Sequence, residues 1–266
     1  MTTKGKRVLR LVRRAGRMIR SARLTSGGVF QKGADPANLV TVYDTAVQDY
    51  LERGLLRLYP DAVFMAEEQE NDPAVLTAER CFVIDPIDGT ANFVHDLSRS
   101  VISVAMLSRG EVVMGLVYDL YNDEAYFATR GGGAYLNGRP IRVSDRAPAD
   151  AMTAFGTTPY EKEETADATF ALASVLFRKT RDVRRFGAAA LDLAYVAAGR
   201  CDMFFEMKLS PWDIAAGILL VTEAGGRVSD MSGAPIALGG RVPMLAASAA
   251  CYDFLLAEAR AVLEAN

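Results

Sequence analysis

The sequence is poor in the residues that most metal and nucleophile sites need. It has one histidine, His95, in 266 residues, which excludes a histidine-rich metal centre and leaves only that residue for a Ser/His/Asp triad. Its three cysteines, Cys81, Cys201 and Cys251, lie far apart without a CxxC pair, so neither a disulfide framework nor a cysteine zinc site is expected. This cysteine usage predicts a reducing, cytoplasmic location.

Long apolar runs are also missing. The chain contains no uninterrupted apolar stretch of the roughly 18 residues that a spanning helix needs, so no membrane span is predicted. Half of the residues are hydrophobic and 24% are charged, proportions typical of a folded domain with a substantial core. We therefore expect a single domain over residues 1–266, with sub-halves of about 1–145 and 146–266.

Acidic residues are absent from the start of the chain. Residues 1–34 contain ten Lys or Arg and no Asp or Glu, so the remainder has a net charge of −13. Apolar residues at helical spacing over residues 6–23 predict an amphipathic helix with a basic outer face. Three interpretations of that face stay open: a solvated surface, a contact with nucleic acid or an acidic protein, and an organelle transit peptide.

Strand and helix signals alternate through the rest of the sequence. A second amphipathic helix follows residues 39–44, with Thr41 or Asp44 as its cap. The first half is rich in strand-like runs, and Asn137-Gly138 indicates a two-residue hairpin turn. In the second half strands alternate with predicted helices near 163–177, 184–199, 212–226 and 251–264. This pattern predicts an α/β fold with an antiparallel-rich first sheet and a mixed second sheet.

The stretch CFVIDPIDGTANF, residues 81–93, brings two carboxylates to the end of a buried strand. Asp85 is expected where the strand ends, because Pro86 cannot donate to a ladder. Asp85 and Asp88 can then turn around one centre, and such close carboxylates repel each other unless a cation lies between them or one is protonated. An all-oxygen ligand set selects Mg²⁺, Mn²⁺ or Ca²⁺ rather than zinc.

Further acids stand at the ends of other predicted elements. They are Asp44, Glu67, Glu68 and Asp213. In an acidic chain without usable histidines, these acids predict a site for more than one Mg²⁺.

Gly89-Thr90 adds an anion site, because a helix that starts there points free N–H groups and its positive dipole end outward. Together they predict phosphoryl chemistry with water as the acceptor, since the GxxxxGK[ST] nucleotide loop is absent.

Two motifs carry a family resemblance. DPIDGTANF (residues 85–93) and WDIAAG (residues 212–217) resemble the signature pair of the inositol monophosphatase family, which belongs to the lithium-sensitive, magnesium-dependent phosphatases. Further segments fall in the family's order and spacing: LVTVYD, AEE, GGGAYLNGRPI, RRFGAAALDLAYVAAGRCD and FFE. The resemblance covers nearly the whole chain. It implies the layered α-β-α-β-α sandwich of the inositol monophosphatase and fructose-1,6-bisphosphatase type.

The resemblance also implies metal ligands. Glu67, Asp85 and the carbonyl of Ile87 would hold a first magnesium ion. Asp85, Asp88 and Asp213 would hold a second ion, and Glu67 would share a third. Mn²⁺ is expected to substitute for Mg²⁺, whereas Ca²⁺ and Li⁺ are expected to inhibit.

Catalytic and substrate roles follow from the same resemblance. Thr90 and Asp44 would orient the attacking water, with Glu67 as the third catalytic residue, and the N–H groups of Gly89 and Thr90 would bind phosphate. The residues implied to contact the substrate are Asp88, Ala189, Glu206 and Asp213.

The function implied is a Mg²⁺-dependent phosphomonoesterase that acts on a small polyol phosphate, foremost myo-inositol 1-phosphate, as a cytoplasmic homodimer. Two alternatives stay open. One is a fructose-1,6-bisphosphatase or nucleotide-type phosphatase of the same fold. The other is a regulatory protein that binds RNA or the transcription machinery through the basic helix over residues 6–23.

Overall fold

The computed structural model describes residues 2–20, 28–31 and 39–265. The helices in these ranges are α1 (Thr3–Arg20), α2 (Val42–Leu58), α3 (Thr90–Val94), α4 (Lys162–Lys179), α5 (Ala189–Ala197), α6 (Pro211–Glu223) and α7 (Tyr252–Ala265). The strands are β1 (Val29–Gln31), β2 (Leu39–Thr41), β3 (Val63–Ala66), β4 (Cys81–Asp88), β5 (Val101–Ser108), β6 (Glu111–Asp119), β7 (Glu124–Thr129), β8 (Gly133–Leu136), β9 (Arg139–Ile141), β10 (Met152–Phe155), β11 (Asp182–Arg184), β12 (Met203–Leu209), β13 (Arg227–Ser229) and β14 (Val242–Ala247). Short 3-10 helices occupy Pro73–Thr77 and Pro148–Asp150.

The larger sheet has seven strands in sequence order, from β3 to β9. Only the β3–β4 pair is parallel, and every later pair is antiparallel. The hairpin predicted at Asn137-Gly138 is confirmed, since Leu136 pairs with Arg139 and both turn residues have positive φ, 50° and 81°.

A second large sheet has five strands in the order β11-β10-β12-β14-β13, and β1 and β2 form a separate two-stranded sheet. β10 runs parallel to both of its neighbours, whereas β14 is antiparallel to β12 and β13. The predicted contrast between an antiparallel-rich first sheet and a mixed second sheet is therefore confirmed.

Five layers result from how the helices cover these sheets. α1 and α2 pack on one face of the seven-stranded sheet, and α5 and α6 fill the space between the two sheets. α4 and α7 cover the outer face of the five-stranded sheet. Each interface has its own apolar cluster, and the largest surrounds α5 and α6. This α-β-α-β-α order is the one that the resemblance implied.

Three predicted elements need correction. The helix expected over 184–199 starts only at Ala189, because Gly187 has φ +84° and Ala188 is extended; strand β11 precedes it. β4 also continues past Pro86 to Asp88 by means of an irregularity in its pairing with β5. The first helix begins at Thr3, earlier than predicted, and its predicted last residues, 21–23, lie outside the described residues.

The three cysteines are free and buried, which agrees with the prediction of no disulfide framework. Within the described ranges, no helix combines the length and the apolar character that crossing a membrane requires.

Candidate active site

Two of the predicted acids lie at the ends of neighbouring parallel strands. β3 and β4 pair in register up to Ala66 opposite Ile84, and the N–H of Glu67 continues this ladder to the Ile84 carbonyl at 3.2 Å. Glu67 and Asp85 are the next residues on the two strands. Because the carboxyl ends of parallel strands meet at one sheet edge, both acids arrive at the same place.

A bulge places Asp88 on the same side of the sheet as Asp85. Asp85 pairs with Ser103 and Asp88 with Val101, so three steps on β4 match two on β5. In a regular strand residues three apart point to opposite faces, but one extra residue reverses that alternation. Pro86 therefore does not end the strand, and the DPID sequence aims both carboxylates to one side.

Asp44 and Asp213 lie at helix starts, where each closes a capping box. Asp44 accepts from the Thr41 N–H at 2.8 Å, and Asp213 accepts from the Ser210 N–H at 2.7 Å. Each is the third residue of its helix, α2 or α6. The capping bonds hold each carboxylate beside the positive end of its own helix.

Asp88 is anchored by helix α5. Its two carboxylate oxygens accept from the N–H groups of Ala189 at 3.2 Å and Ala190 at 2.7 Å. The Ala189 N–H, predicted to donate to substrate, therefore donates to Asp88 in this structure. Residue 188 is an alanine and supplies no side-chain cap, so the carboxylate of Asp88 caps this helix instead.

Gly89 and Thr90 form the start of helix α3, as predicted. Gly89 has φ +88°, and a Cβ there would lie 2.9 Å from the Arg99 carbonyl oxygen, so both conformation and space require glycine. The Thr90 hydroxyl lies 3.3 Å from Asp44 Oδ1 and 3.0 Å from the Ile87 carbonyl oxygen. Thr90 thus links the buried Asp44 to the end of β4, the strand that carries Asp85 and Asp88.

Glu206 lies in a recess beside these acids. Its Oε1 accepts from the Thr158 N–H at 2.9 Å. A Cβ on Gly156 would come within 1.8 Å of Glu206 Oε2, so the glycine makes room for the carboxylate. β10 and β12 are neighbouring parallel strands, which explains why the turn after β10 meets the middle of β12.

One cavity of about 400 Å³ collects most of the predicted site residues. Those that line it are Glu67, Asp85, Ile87, Asp88, Gly89, Thr90 and Asp213. Ala189 and Glu206 line an adjoining recess, which shares Asp88, Thr90 and Asp213 with the cavity. Asp44 lines neither space and is fully buried behind Thr90.

The electrostatics of the cavity favour protonation or a counter-ion. Burial, followed by repulsion from Glu67, Asp88, Asp213 and Asp44, raises the pKa of Asp85 well above its usual range. Burial also raises the pKa of Asp88 to about 7, against the opposing effect of the Ala190 N–H. The pKa of Asp213 is raised well above its usual range by removal from water and by Asp88 and Glu67. Ionised carboxylates at neutral pH therefore destabilise the folded chain unless a cation offsets them.

The donor set fits a hard divalent ion in its chemistry. It consists of carboxylates and a backbone carbonyl, the oxygen ligands that Mg²⁺ and Ca²⁺ take. As the side chains stand, no three His, Cys, Asp or Glu residues in the described ranges are grouped closely enough to hold one ion. One oxygen of Asp85 accepts from the Ile87 N–H and one oxygen of Asp213 accepts from the Ser210 N–H, so the second oxygen of each carboxylate is the one that suits a cation.

Sequence reasoning missed three residues of this region. Asp192 is buried among the apolar residues of α5, and its Oδ1 has no hydrogen bond in the described part of the chain. Burial, then Asp88 and Glu206, raises its pKa well above the usual range. Tyr160 and Arg241 line both the cavity and the recess. A lone acid in an apolar helix was a usable signal for Asp192, whereas the loops that carry Tyr160 and Arg241 have no periodicity to read.

Comparison with known proteins matches residues 6–264 to the model of the inositol monophosphatase family. The chain is 40% identical over 225 residues to the inositol-1-monophosphatase of Rhizobium meliloti, covering 84% of this chain and 82% of that protein. It is 39% identical over 227 residues to the Nus factor SuhB of Escherichia coli, covering 85% and 84%. The inositol monophosphatase structure from Thermotoga maritima superposes with a TM-score of 0.88 at 33% identity, covering 99% of each chain.

Proposed function

This chain belongs to the inositol monophosphatase family, and we propose that it hydrolyses the phosphate monoester of a small polyol, with myo-inositol 1-phosphate as its substrate. The observation that supports this most directly is the convergence of Glu67, Asp85, Asp88 and Asp213 from separate chain segments on one cavity. Burial and mutual repulsion raise the pKa values of three of them. Such crowding of carboxylates suits a site that works with divalent cations.

Magnesium is the cofactor we propose, in two or three sites, with Mn²⁺ as a substitute. Glu67, Asp85, Asp88, Asp213 and the Ile87 carbonyl would hold it. When bound, the ion would make water a better nucleophile and stabilise charge on the phosphate and leaving oxygens. This accounts for a hydrolytic site with a single histidine in the sequence, because positioning and charge stabilisation then carry the reaction.

The protein's own groups would position water and phosphate. Asp44 has no exposure to solvent and holds the Thr90 hydroxyl from behind, which favours one orientation of that hydroxyl toward the cavity. A water held by Thr90 would lie beside the start of α3, where the N–H groups of Gly89 and Thr90 suit phosphate oxygens. We propose that this pair sets the direction of attack.

The recess beside the cavity would bind the alcohol part of the substrate. Glu206 is buried and offers a carboxylate acceptor, and burial raises its pKa to about 7. Arg185, Lys208 and Arg241 also line the recess. A polyol places hydroxyl donors against Glu206, whereas a second phosphate would meet these cations. Fructose 1,6-bisphosphate and nucleotide-type phosphates are therefore the competing substrates to test.

The test is phosphate release from a panel of inositol, sugar and nucleotide monophosphates and fructose 1,6-bisphosphate, with Mg²⁺ or with chelator. We expect myo-inositol 1-phosphate to give the highest kcat/KM, activity to vanish in chelator and return with Mg²⁺ or Mn²⁺, and Li⁺ and Ca²⁺ to inhibit. If another ester gives the highest kcat/KM, that ester replaces myo-inositol 1-phosphate as the proposed substrate, and the proposed reaction class is unchanged. Full activity in chelator would falsify the metal-dependent mechanism.

A homodimer is part of the proposal. Phe170 and Phe177 lie seven residues apart on α4 and are each 58% exposed, so they share one outer face of that helix. Two large aromatic side chains in water are more typical of an interface than of a free surface. Light scattering after size exclusion should give twice the 28.8 kDa chain mass, and Phe170→Lys/Phe177→Lys should give the single mass.

A binding role is the second candidate function. The relatives named Nus factor SuhB show that this family includes proteins named for something other than hydrolysis. The observation in this chain that favours such a role is a groove rimmed by arginines between α1 and α2.

A further inference from the structure

A groove separate from the acidic cavity runs between α1 and α2. It has a volume of about 630 Å³ and lies on the outer helical layer of the seven-stranded sheet. Its lining residues are Arg7, Arg10, Leu11, Arg14, Met18, Ala46, Tyr50, Arg53, Gly54, Arg57 and Leu58. The groove shares none of these residues with the cavity or its recess, so the two places can bind different molecules.

Gly54 shapes this groove. A Cβ at Gly54 would lie 2.4 Å from Leu11 Cδ1, so glycine lets α1 approach α2 closely. The apolar residues at the contact, among them Leu11, Tyr50 and Leu58, are half-buried and form the floor. The close approach of the helices leaves the long arginine side chains to stand up on either side of that floor.

The rim of the groove is positive on both sides. Arg7, Arg10 and Arg14 stand on α1, Arg53 and Arg57 stand on α2, and all five are exposed. Arg53 pairs with Asp49 at 2.6 Å. For the other four, the described residues provide no ion-pair partner. Like charges three or four residues apart on a helix repel one another weakly, and an anionic occupant would relieve that repulsion.

We propose that this groove binds single-stranded nucleic acid, with the arginines on the phosphates and the floor against the bases. Arg7 and Arg14 are seven residues apart, about 10 Å along the helix axis, and the facing row on α2 runs beside them. The rim contains arginine and no lysine, and the guanidinium fork matches phosphate oxygens in pairs. Tyr50 supplies an aromatic ring of the kind on which bases stack without sequence preference.

Other anionic partners fit less well. A lipid surface is broad, so it would contact the arginine rim but could not reach the half-buried floor. Helices that bind membrane surfaces instead expose their apolar face. An acidic protein helix is about 10–12 Å wide with its side chains and would rest on the rim above the floor. A single strand is thin enough to place phosphates on the rim and bases on the floor together.

The experiment measures binding of labelled oligo(U) and oligo(dT) of about 12 nucleotides, a length within known single-strand sites, by fluorescence anisotropy. The groove variant is Arg10→Gln/Arg14→Gln/Arg57→Gln. The matched control, Arg142→Gln/Lys162→Gln/Arg178→Gln, removes the same charge from exposed positions away from the groove. Arms with a poly-glutamate peptide and with phosphatidylserine vesicles test the other partner classes.

We expect the groove variant to bind at least about 10-fold more weakly, and the slope of log K against log salt to fall by about 2, because each single-strand phosphate contact contributes about 0.7. The control should stay within about 2-fold of the parent, since it loses only long-range attraction that salt screens. Tyr50→Leu should lower affinity with an unchanged salt slope, because stacking is uncharged. Equal affinity for oligo(U) and oligo(dT) is expected, since no described contact reads the sugar.

Three results would overturn the proposal: no oligonucleotide binding by the parent protein, equal weakening in the groove and control variants, or binding only of the acidic peptide or the vesicles. The outcome is independent of the phosphatase. The groove variant should keep the parent's rate of phosphate release, and Asp85→Asn should keep the parent's affinity for oligonucleotide.

Discussion

The acidic cavity and the arginine groove concentrate opposite charges in opposite environments. In the cavity, Asp85 and Asp88 are 2% and 8% exposed, and burial raises the pKa of both. In the groove the arginines are exposed, where water and salt screen their repulsion. Burial therefore decides what a charge cluster needs. A buried cluster must take up protons or cations, whereas an exposed one stays charged and open to a partner.

The largest expected effect comes from Asp85→Asn, which should separate function from stability in the cavity. Asparagine keeps an oxygen to accept from the Ile87 N–H but removes one charge from the repelling group. We expect phosphate release with Mg²⁺ to fall by at least about 10²-fold, while the chelator-treated protein gains stability at pH 8 because the crowding is relieved. Phosphate assays and urea denaturation measure the two effects.

The exposed Asp145 serves as the control for this change. Asp145→Asn should leave both the rate and the stability near the parent values, since surface substitutions usually change stability by less than about 0.5 kcal/mol. A metal-free Asp85→Asn protein that is less stable than the parent at pH 8 would contradict the view that repulsion dominates in the cavity.

The pH dependence of stability should distinguish the recess beside the cavity from the groove. Burial raises the pKa of Glu206 from 4.5 to about 7, so the folded chain keeps this proton at pH values where the unfolded chain has lost it. The protonated Glu206 therefore contributes to the free energy of unfolding fully below about pH 4.5. This contribution, at most about 3 kcal/mol, is lost as the pH rises through about 7. In chelator, Glu206→Gln should reduce the fall in unfolding free energy between pH 5 and pH 8.

The groove variant provides the contrast for this measurement. Arginine does not titrate in this range, so Arg10→Gln/Arg14→Gln/Arg57→Gln should keep the parent's pH slope. Mg²⁺ should raise the melting temperature more at pH 8 than at pH 5, because protons compete with it for the same carboxylates. If the unfolding free energy of Glu206→Gln changes with pH as it does in the parent, Glu206 is not the source of the pH dependence.

A smaller effect is expected from Gly156→Ala, which tests the recess alone. The new Cβ would meet Glu206 Oε2, so the buried carboxylate must move, at a cost of about 1–3 kcal/mol in stability. We expect KM for polyol phosphates to rise and selectivity among substrates to weaken, with the Mg²⁺ requirement unchanged. Gly110→Ala is the control, since a Cβ there meets nothing within 4 Å and only the strain of its φ of +85° remains.

The smallest expected effect comes from Ala188→Ser at the start of α5. Residue 188 itself supplies no side-chain cap, and a serine hydroxyl there should stabilise the protein by about 0.5–1 kcal/mol. It would also compete with Asp88 for the helix N–H groups, which leaves Asp88 freer to bind a cation. Urea denaturation and the Mg²⁺ concentration for half-maximal activity measure the two effects. Unchanged stability would show that a serine hydroxyl adds nothing to the hydrogen bonds that Asp88 already accepts from this helix end.

Sequence reasoning succeeded where a local signal had one structural reading. The Asn137-Gly138 hairpin follows from φ preferences, and the start of α3 at Gly89 follows from the same rule. It failed at Pro86 because a proline that ends a regular strand can be accommodated at a bulge. It also extended the helix of residues 184–199 too far upstream, since the pairing of β11 with β10 is a contact between distant segments. The predicted metal, phosphate and substrate roles stay predictions.

The sequence by itself determined which chemistry was available. One histidine, scattered cysteines and acids at element ends argue against a histidine- or cysteine-bound zinc site and favour oxygen-bound cations, because these properties belong to the side chains whatever the fold. Only the tertiary structure decided the distances between those acids, which of them caps a helix and which is buried beside Glu206. Distances between remote segments depend on strand register and packing, and these arise only when the layers of the whole chain come together.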